Sequence, residues 1–171
     1  QLPVQKFREF RNSNSDGGFD SEAWSAMVDM GWTGILVGEN YGGSDLGYLT
    51  FGLILEQLGR QLCASPLFAS AYVGATAINL GGSDAQKQHW LPKIVDGSEI
   101  LTLAVDEESR HHRGSMACTA TTADGGYTLN GAKTFVLEGM SATSLIVAAS
   151  TADGSVQLFL VPADSAGVTR Q

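Results

Sequence analysis

Residues 101–139 read LTLAVDEESRHHRGSMACTATTADGGYTLNGAKTFVLEG, and the character of the chain changes where they begin. Leu101 to Val105 form an apolar run that stops at the carboxylates Asp106, Glu107 and Glu108. Beyond a polar loop, Asp124-Gly125-Gly126 and Asn130-Gly131 supply the positive-φ residues that tight hairpin turns need. The segments around those turns alternate in polarity or carry β-branched and aromatic residues. The pattern predicts strands near 101–106, 115–122, 126–130, 133–138, 144–150 and 156–161, with Asp153-Gly154 as one more turn. Successive hairpins of this kind imply antiparallel structure, a barrel or a sandwich.

Everything upstream has helical periodicity. Phe7 to Arg11 reads as the end of a helix, and Asn12 to Gly18 as a turn-rich break. Asp20 then caps a helix that carries Trp24, Met27 and Val28 on one face, and Gly31 ends it. The segment GENYGGSDLG, from Gly38, could cradle a phosphate or connect two helices; no Gly-Lys-Ser/Thr follows it, which favours the connector. A helix over 48–61 places Phe51, Leu55 and Leu58 on a stripe that Leu53 and Ile54 widen, so it is expected to be largely buried. Pro66 breaks the chain, and an Ala-rich, almost uncharged helix follows over Ala69–Leu80. Ser83 and Gln86 form a capping box for a short helix to Trp90, and Pro92 opens another that Gly97 closes. The expected fold is therefore α+β: an N-terminal α-helical domain over 1–100, then an antiparallel β-barrel or sandwich domain over 101–171.

Composition narrows the function. A net charge of −8 and only ten Lys and Arg, scattered along 171 residues, disfavour nucleic acid and anionic membranes as partners. No apolar run approaches the length of a membrane span, and QLPVQKFREF lacks a signal-peptide core, so the expected location is the cytoplasm. Cys63 and Cys118 are far apart, outside any CxxC spacing, and read as two buried thiols. The carboxylates at 106–108 suit either a solvated loop or a proton-sharing or metal-binding pair, though neighbouring strand residues point to opposite faces. His111-His112, flanked by Arg110 and Arg113, make a cationic loop; without further ligands at recognisable spacing, a metal is not expected. No Gly-x-Ser-x-Gly elbow is present.

Several ordered motifs resemble the acyl-CoA dehydrogenase family across nearly the whole chain. GENYGGSD, LILEQLGRQL and HWLPKIVDGSEI resemble its N-terminal helical domain, and Ala104 to Glu107 followed by YTLNGAKTFVLEG resembles the start of its middle β-domain. The resemblance implies a flavoprotein oxidoreductase of fatty-acid metabolism: a carboxylate removes the α-proton of an acyl-CoA thioester while the β-hydrogen leaves as hydride to FAD. In that family a strand ending in Thr-Glu meets the flavin's pyrimidine edge, and a Lys-x-Trp-Ile-Thr segment packs on the ring. The implied cofactor-binding residues here are Asp106, Glu107, Phe135, Val136 and Leu137. The family's catalytic base lies in its C-terminal domain, so no catalytic residue is assigned.

The departures from that pattern are chemical ones. Asp106 stands where Thr is usual, Leu137 where a hydroxyl is usual, and SRHHRG replaces the usual Gly-Ser-Asp. Two lost hydrogen bonds would weaken flavin binding by about 1–3 kcal/mol, roughly 5- to 150-fold. The chain has no initial Met and ends at Gln171 after a strand-and-turn pattern, so the resemblance implies a truncated form, lacking further strands and a helical bundle. That form is expected to be inactive alone, to hold FAD weakly, and to associate as a homo-oligomer or with a heteromeric dehydrogenase partner. The alternative is a non-catalytic partner subunit or stand-alone interaction module that kept the fold and lost the flavin site.

Overall fold

Asp20 starts the first well-defined helix as expected: its Oδ1 accepts the N–H groups of Glu22 (2.9 Å) and Ala23 (3.2 Å), capping α1, Ser21–Asp29. The computed structural model describes residues 5, 8, 9, 16–109, 116–123 and 125–171. Most of the predicted helix end at Phe7–Arg11, the cationic loop Arg110 to Arg113 and the turn residue Asp124 lie outside the described residues.

Trp24 and Met27 of α1 are buried, and Gly31 ends the helix at φ 72°. The glycine-rich segment is a connector. It folds back on itself, with Ser44 N–H bonded to Gly34 O (3.0 Å), Asp45 N–H to Val37 O (3.1 Å) and Leu46 N–H to Ile35 O (2.9 Å). At Gly43 a Cβ would lie 2.0 Å from Val37 O, so only glycine fits that crossing.

Helix α2, Gly47–Arg60, buries a narrower face than the sequence suggests. Phe51 is buried and Ile54, Leu55 and Leu58 pack against the same cluster, a stripe at i, i+3, i+4, i+7 spacing. Leu49 and Leu53 point away and are exposed, at 81% and 57%. The expectation of a largely buried helix is thus corrected, because residues outside the stripe stay mostly exposed to solvent.

After Pro66, a π-helical turn, Phe68–Gly74, runs into α3, Ala75–Gly81. Helix α4, Asp84–Val95, is one helix rather than two: the Ser83/Gln86 capping box starts it and it continues through Pro92. Pro92 removes one N–H from the ladder, and the surrounding turns hold. Trp24 Nε1 and Thr33 Oγ1 tie the end of α4 to the first helices, donating to Gly97 O (3.4 Å) and Val95 O (2.6 Å).

Five strands follow among the described residues: β1 Leu101–Ala104, β2 Thr119–Ala123, β3 Gly126–Asn130, β4 Ser144–Ser150 and β5 Val156–Pro162. β2–β3 and β4–β5 are antiparallel hairpins at two of the three predicted turn signals, those at Gly125-Gly126 and Asp153-Gly154, whereas Asn130-Gly131 closes no hairpin among the described residues. The sheet as a whole is mixed and not a closed barrel, because β1 pairs with β4 in parallel, Leu101 to Ser144 through Ala104 to Val147. β2 continues along that same edge with a parallel bridge, Thr119 to Ser150. Residues 105–143 form the crossover that parallel pairing requires. The strand expected over 133–138 is absent. Phe135 and Glu138 adopt left-handed φ of 51° and 52°, which no strand accommodates.

The apolar core is continuous from helices to sheet. Val37, Ala75, Ile78, Leu91 and Ile94 pack with Leu101 of β1 and Ile146 of β4. Gly74 makes this contact possible, since a Cβ there would come within 2.7 Å of Leu101 Cβ. A second group, Ala104, Cys118, Ala120, Val147 and Ala149, lies within the sheet. Cys63 is half-buried, Cys118 is buried, and both are free thiols. Among the described residues no helix is long and apolar enough to cross a membrane.

Candidate functional site

The exit of β1 is held by an ion pair. Lys133 Nζ lies 2.7 Å from Glu107 Oε1, and both side chains are nearly buried, 8% and 14% exposed. The Glu107 carboxylate also accepts the N–H groups of Ala117 (2.6 Å) and Cys118 (2.8 Å), while Lys133 donates to Val105 O (3.2 Å) and approaches Met116 Sδ (2.8 Å). Burial opposes the charge on Glu107, but the Lys133 ammonium and the two amides outweigh it and hold its pKa below the ordinary 4.5.

This arrangement separates the three carboxylates of the sequence. Glu107 turns to Lys133, whereas Asp106 and Glu108 present backbone carbonyls to Thr134, whose N–H meets Asp106 O (2.7 Å) and whose hydroxyl meets Glu108 O (3.1 Å). No group of three metal-binding side chains occurs among the described residues.

Fixed at Lys133 and Thr134, the chain turns sharply. Val136 packs into the sheet core, and the carbonyl of Leu137 accepts the buried Thr102 hydroxyl at 2.5 Å. Phe135 (72%) and Leu137 (57%) are left exposed. A left-handed Phe costs on the order of 1 kcal/mol, and such strain persists where surrounding contacts impose it.

Beside this turn is an open cleft of about 920 Å³. Phe135, Val136, Glu138, Met140 and Ser141 form one wall, Val168 and Arg170 come from the C-terminal side, and Gly17 comes from the helical side. Of the residues the sequence singles out, Phe135 and Val136 line the cleft. Asp106, Glu107 and Leu137 do not: they hold the turn from behind or face away. Arg170 braces the turn by donating to the carbonyls of Gly139 (3.0 Å), Met140 (3.2 Å) and Ala142 (2.9 Å).

The sequence reading missed Glu138, Ser141 and Gly17. Ser141 Oγ contacts Gly17 O at 2.5 Å and Glu138 Oε2 at 3.1 Å, a junction across distant chain segments that periodicity does not reveal. In volume and in its exposed aromatic wall, the cleft fits one face of a planar, mostly apolar ring system such as a flavin.

A family profile described as "Acyl-CoA dehydrogenase, N-terminal domain" matches residues 5–98. Isovaleryl-CoA dehydrogenase, mitochondrial, of Oryza sativa subsp. japonica is 36% identical over 135 residues, covering 77% of this chain and 33% of the relative. Acyl-CoA dehydrogenase FadE27 of Mycobacterium tuberculosis is 35% identical over 150 residues, covering 88% and 39%. Among solved structures, the ChsE4-ChsE5 complex from Mycobacterium tuberculosis superimposes with a TM-score of 0.82 at 33% identity, covering 97% of this chain and 43% of that one. The chain thus spans a third or a little more of the curated relatives it matches.

Proposed function

Since the chain belongs to the acyl-CoA dehydrogenase family, we propose that residues 1–171 are the helical domain, 1–100, and the opening part of the β-domain, 101–171, of a dehydrogenase acting on an acyl-CoA thioester. FAD, when bound, supplies the hydride acceptor for α,β-dehydrogenation. Phe135 and Val136 offer the apolar surface on which its ring rests. The Glu107–Lys133 pair positions that surface without touching the ring, and Asp106 contributes through its backbone contact with Thr134. Leu137 anchors the turn through its carbonyl. None of the described residues is assigned as the base.

The observation that carries this reading is the exposed, left-handed Phe135 at the wall of the cleft, held there by a nearly buried ion pair. An aromatic ring in a strained conformation facing open space has no structural benefit of its own. We also propose association with a second dehydrogenase subunit, identical or related, supported by the likeness to a two-component complex and by the uncovered Leu49 and Leu53 of α2. A cytoplasmic location is part of the same proposal.

The test uses the full natural polypeptide that contains these residues. Purified without added cofactor and then titrated with FAD, it is expected to show a flavin absorbance band that bleaches with an acyl-CoA and to reduce an artificial acceptor in an acyl-CoA-dependent way. A protein that takes up no flavin, alone or with its co-purifying partner, would instead mark a non-catalytic subunit.

A further inference from the structure

We propose that Ser141 is a positioning residue for the ring stacked on Phe135, acting as a clasp that ties the turn 135–142 to the helical half of the chain at Gly17; this rests on the flavin reading above. Ser141 is buried, at 9% exposure. Its hydroxyl donates to the Gly17 carbonyl at 2.5 Å, and the Glu138 carboxylate, 3.1 Å away, is a second acceptor for it. The two backbones also meet closely. A Cβ at Gly17 would lie 2.9 Å from Ser141 Cα, and Gly17 has a φ of 80°, so both the space and the conformation at this crossing call for glycine.

Each side of the clasp is anchored. Gly17 lies just ahead of Phe19, whose ring packs edge-on against the buried Trp24 at 6.2 Å between centroids, and of Asp20, which caps α1. On the other side, Ser141 and Ala142 donate their N–H groups to Glu138 O, each at 3.0 Å, and Gly139 N–H closes on Val136 O at 3.1 Å. Hydrogen bonds within the turn therefore carry the position of Ser141 back to Val136, the neighbour of Phe135. The turn's other anchors belong to the sheet half: Lys133 on Glu107, Thr134 on Asp106, Thr102 on the Leu137 carbonyl, and Arg170 on the carbonyls of Gly139, Met140 and Ala142. Among the described residues, the Ser141–Gly17 hydrogen bond is the one that fixes the turn against the helical half.

The clasp stands at the site itself. Gly17, Ser141 and Phe135 line the same cleft, so the contact sets where the aromatic wall stands relative to the helical side. The Phe135 ring, 72% exposed, takes its place mainly from the backbone beneath it. Stacking is sensitive to that place, since a gap of about 0.5–1 Å forfeits a quarter to a half of the dispersion attraction between facing atoms. Without the Ser141 hydroxyl the turn loses its hold on Gly17, and the ring on Phe135 loses its register with the opposite side of the cleft.

The experiment measures FAD dissociation constants of the full natural polypeptide by quenching of flavin fluorescence, together with the visible circular dichroism of the bound flavin. Wild type, Ser141→Ala, Phe135→Gly and the double variant form a cycle. Ser141→Ala is expected to bind FAD roughly three- to tenfold more weakly, with an altered dichroism band, and to cost no further affinity once Phe135 is already glycine. If Ser141→Ala does not fold, Gly17→Ala, whose Cβ pushes the same crossing apart, takes its place in the cycle with the same expectation. Wild-type affinity and dichroism in the clasp variant overturn the inference, as does an equal loss in both Phe135 backgrounds, which would make the clasp a fold contact only. Both of those results leave the flavin reading standing. Absence of FAD binding by the wild type overturns the two together.

Discussion

Lys133 and Glu107 meet at 2.7 Å across 26 residues of sequence and are the join between the exit of β1 and the turn that carries Phe135. The pair is nearly buried, so each charge depends on the other. Removing one partner leaves the other desolvated without compensation, at a cost of about 3–5 kcal/mol, whereas replacing both with apolar residues of similar volume costs much less. Lys133→Met is therefore expected to lower the denaturant midpoint strongly, and the double variant Lys133→Met, Glu107→Leu to recover most of the loss. A double variant as unstable as the single one would show that the pair is not what holds the turn.

The same pair gives stability a direction with pH. Glu107 has a folded-state pKa below its ordinary 4.5. Its contribution is fully present above that ordinary value and is lost as pH falls through the lower folded value. Glu138 behaves oppositely: its contribution is complete below 4.5 and lost as pH rises through its raised folded pKa. Denaturant melts of Glu107→Gln and Glu138→Gln are each expected to remove one limb of the pH–stability curve.

Phe135 lets stability and binding be separated. Glycine accepts φ 51° without strain, so Phe135→Gly is expected to stabilise the fold by about 1 kcal/mol or leave it unchanged, because the ring is 72% exposed. The same change removes the stacking surface and is expected to weaken FAD binding about tenfold. A variant that loses stability and binding together would make the ring a packing element.

Two helical glycines give a contrast in sterics. A Cβ at Gly74 meets Leu101 Cβ at 2.7 Å, whereas at Gly52 it meets nothing within 4 Å. Gly52→Ala is expected to gain about 0.5–1 kcal/mol and Gly74→Ala to lose about 1–3 kcal/mol, read from thermal or urea unfolding.

The 171-residue chain expressed alone is expected to hold FAD weakly and not to oxidise acyl-CoA. Its cleft of about 920 Å³ is open, and an open site loses orientation as well as affinity. Stoichiometric flavin after purification, or acyl-CoA-dependent reduction of an acceptor, would count against this.

Local signals were legible in the sequence and long-range ones were not. The Asp20 cap, the Ser83/Gln86 capping box, the Phe51–Leu58 stripe and both hairpins depend on neighbours within a few residues, and all appear in the structure. The parallel pairing of β1 with β4 depends on a crossover, and no turn signal encodes it. Residues 133–138 carry the β-branched and aromatic side chains of a strand, but the pull of Glu107 on Lys133 and the bond from Thr134 to Asp106 fold them back. Ser141 drew no notice because its partner, the Gly17 carbonyl, lies 124 residues away.

The parallel β1–β4 register also bears on how the chain is made. As synthesis proceeds from the N-terminus, Leu101–Ala104 emerges long before Ser144–Val147, its partner. An apolar strand with open edges is prone to pair with other chains while it waits. The close seat of Leu101 against Gly74 gives the nascent strand an earlier partner, since that helical turn has already left the ribosome. The glycine thus shelters an unfinished sheet, and a side chain there is expected to show first as misassembly during expression rather than as a lower melting point in the finished protein.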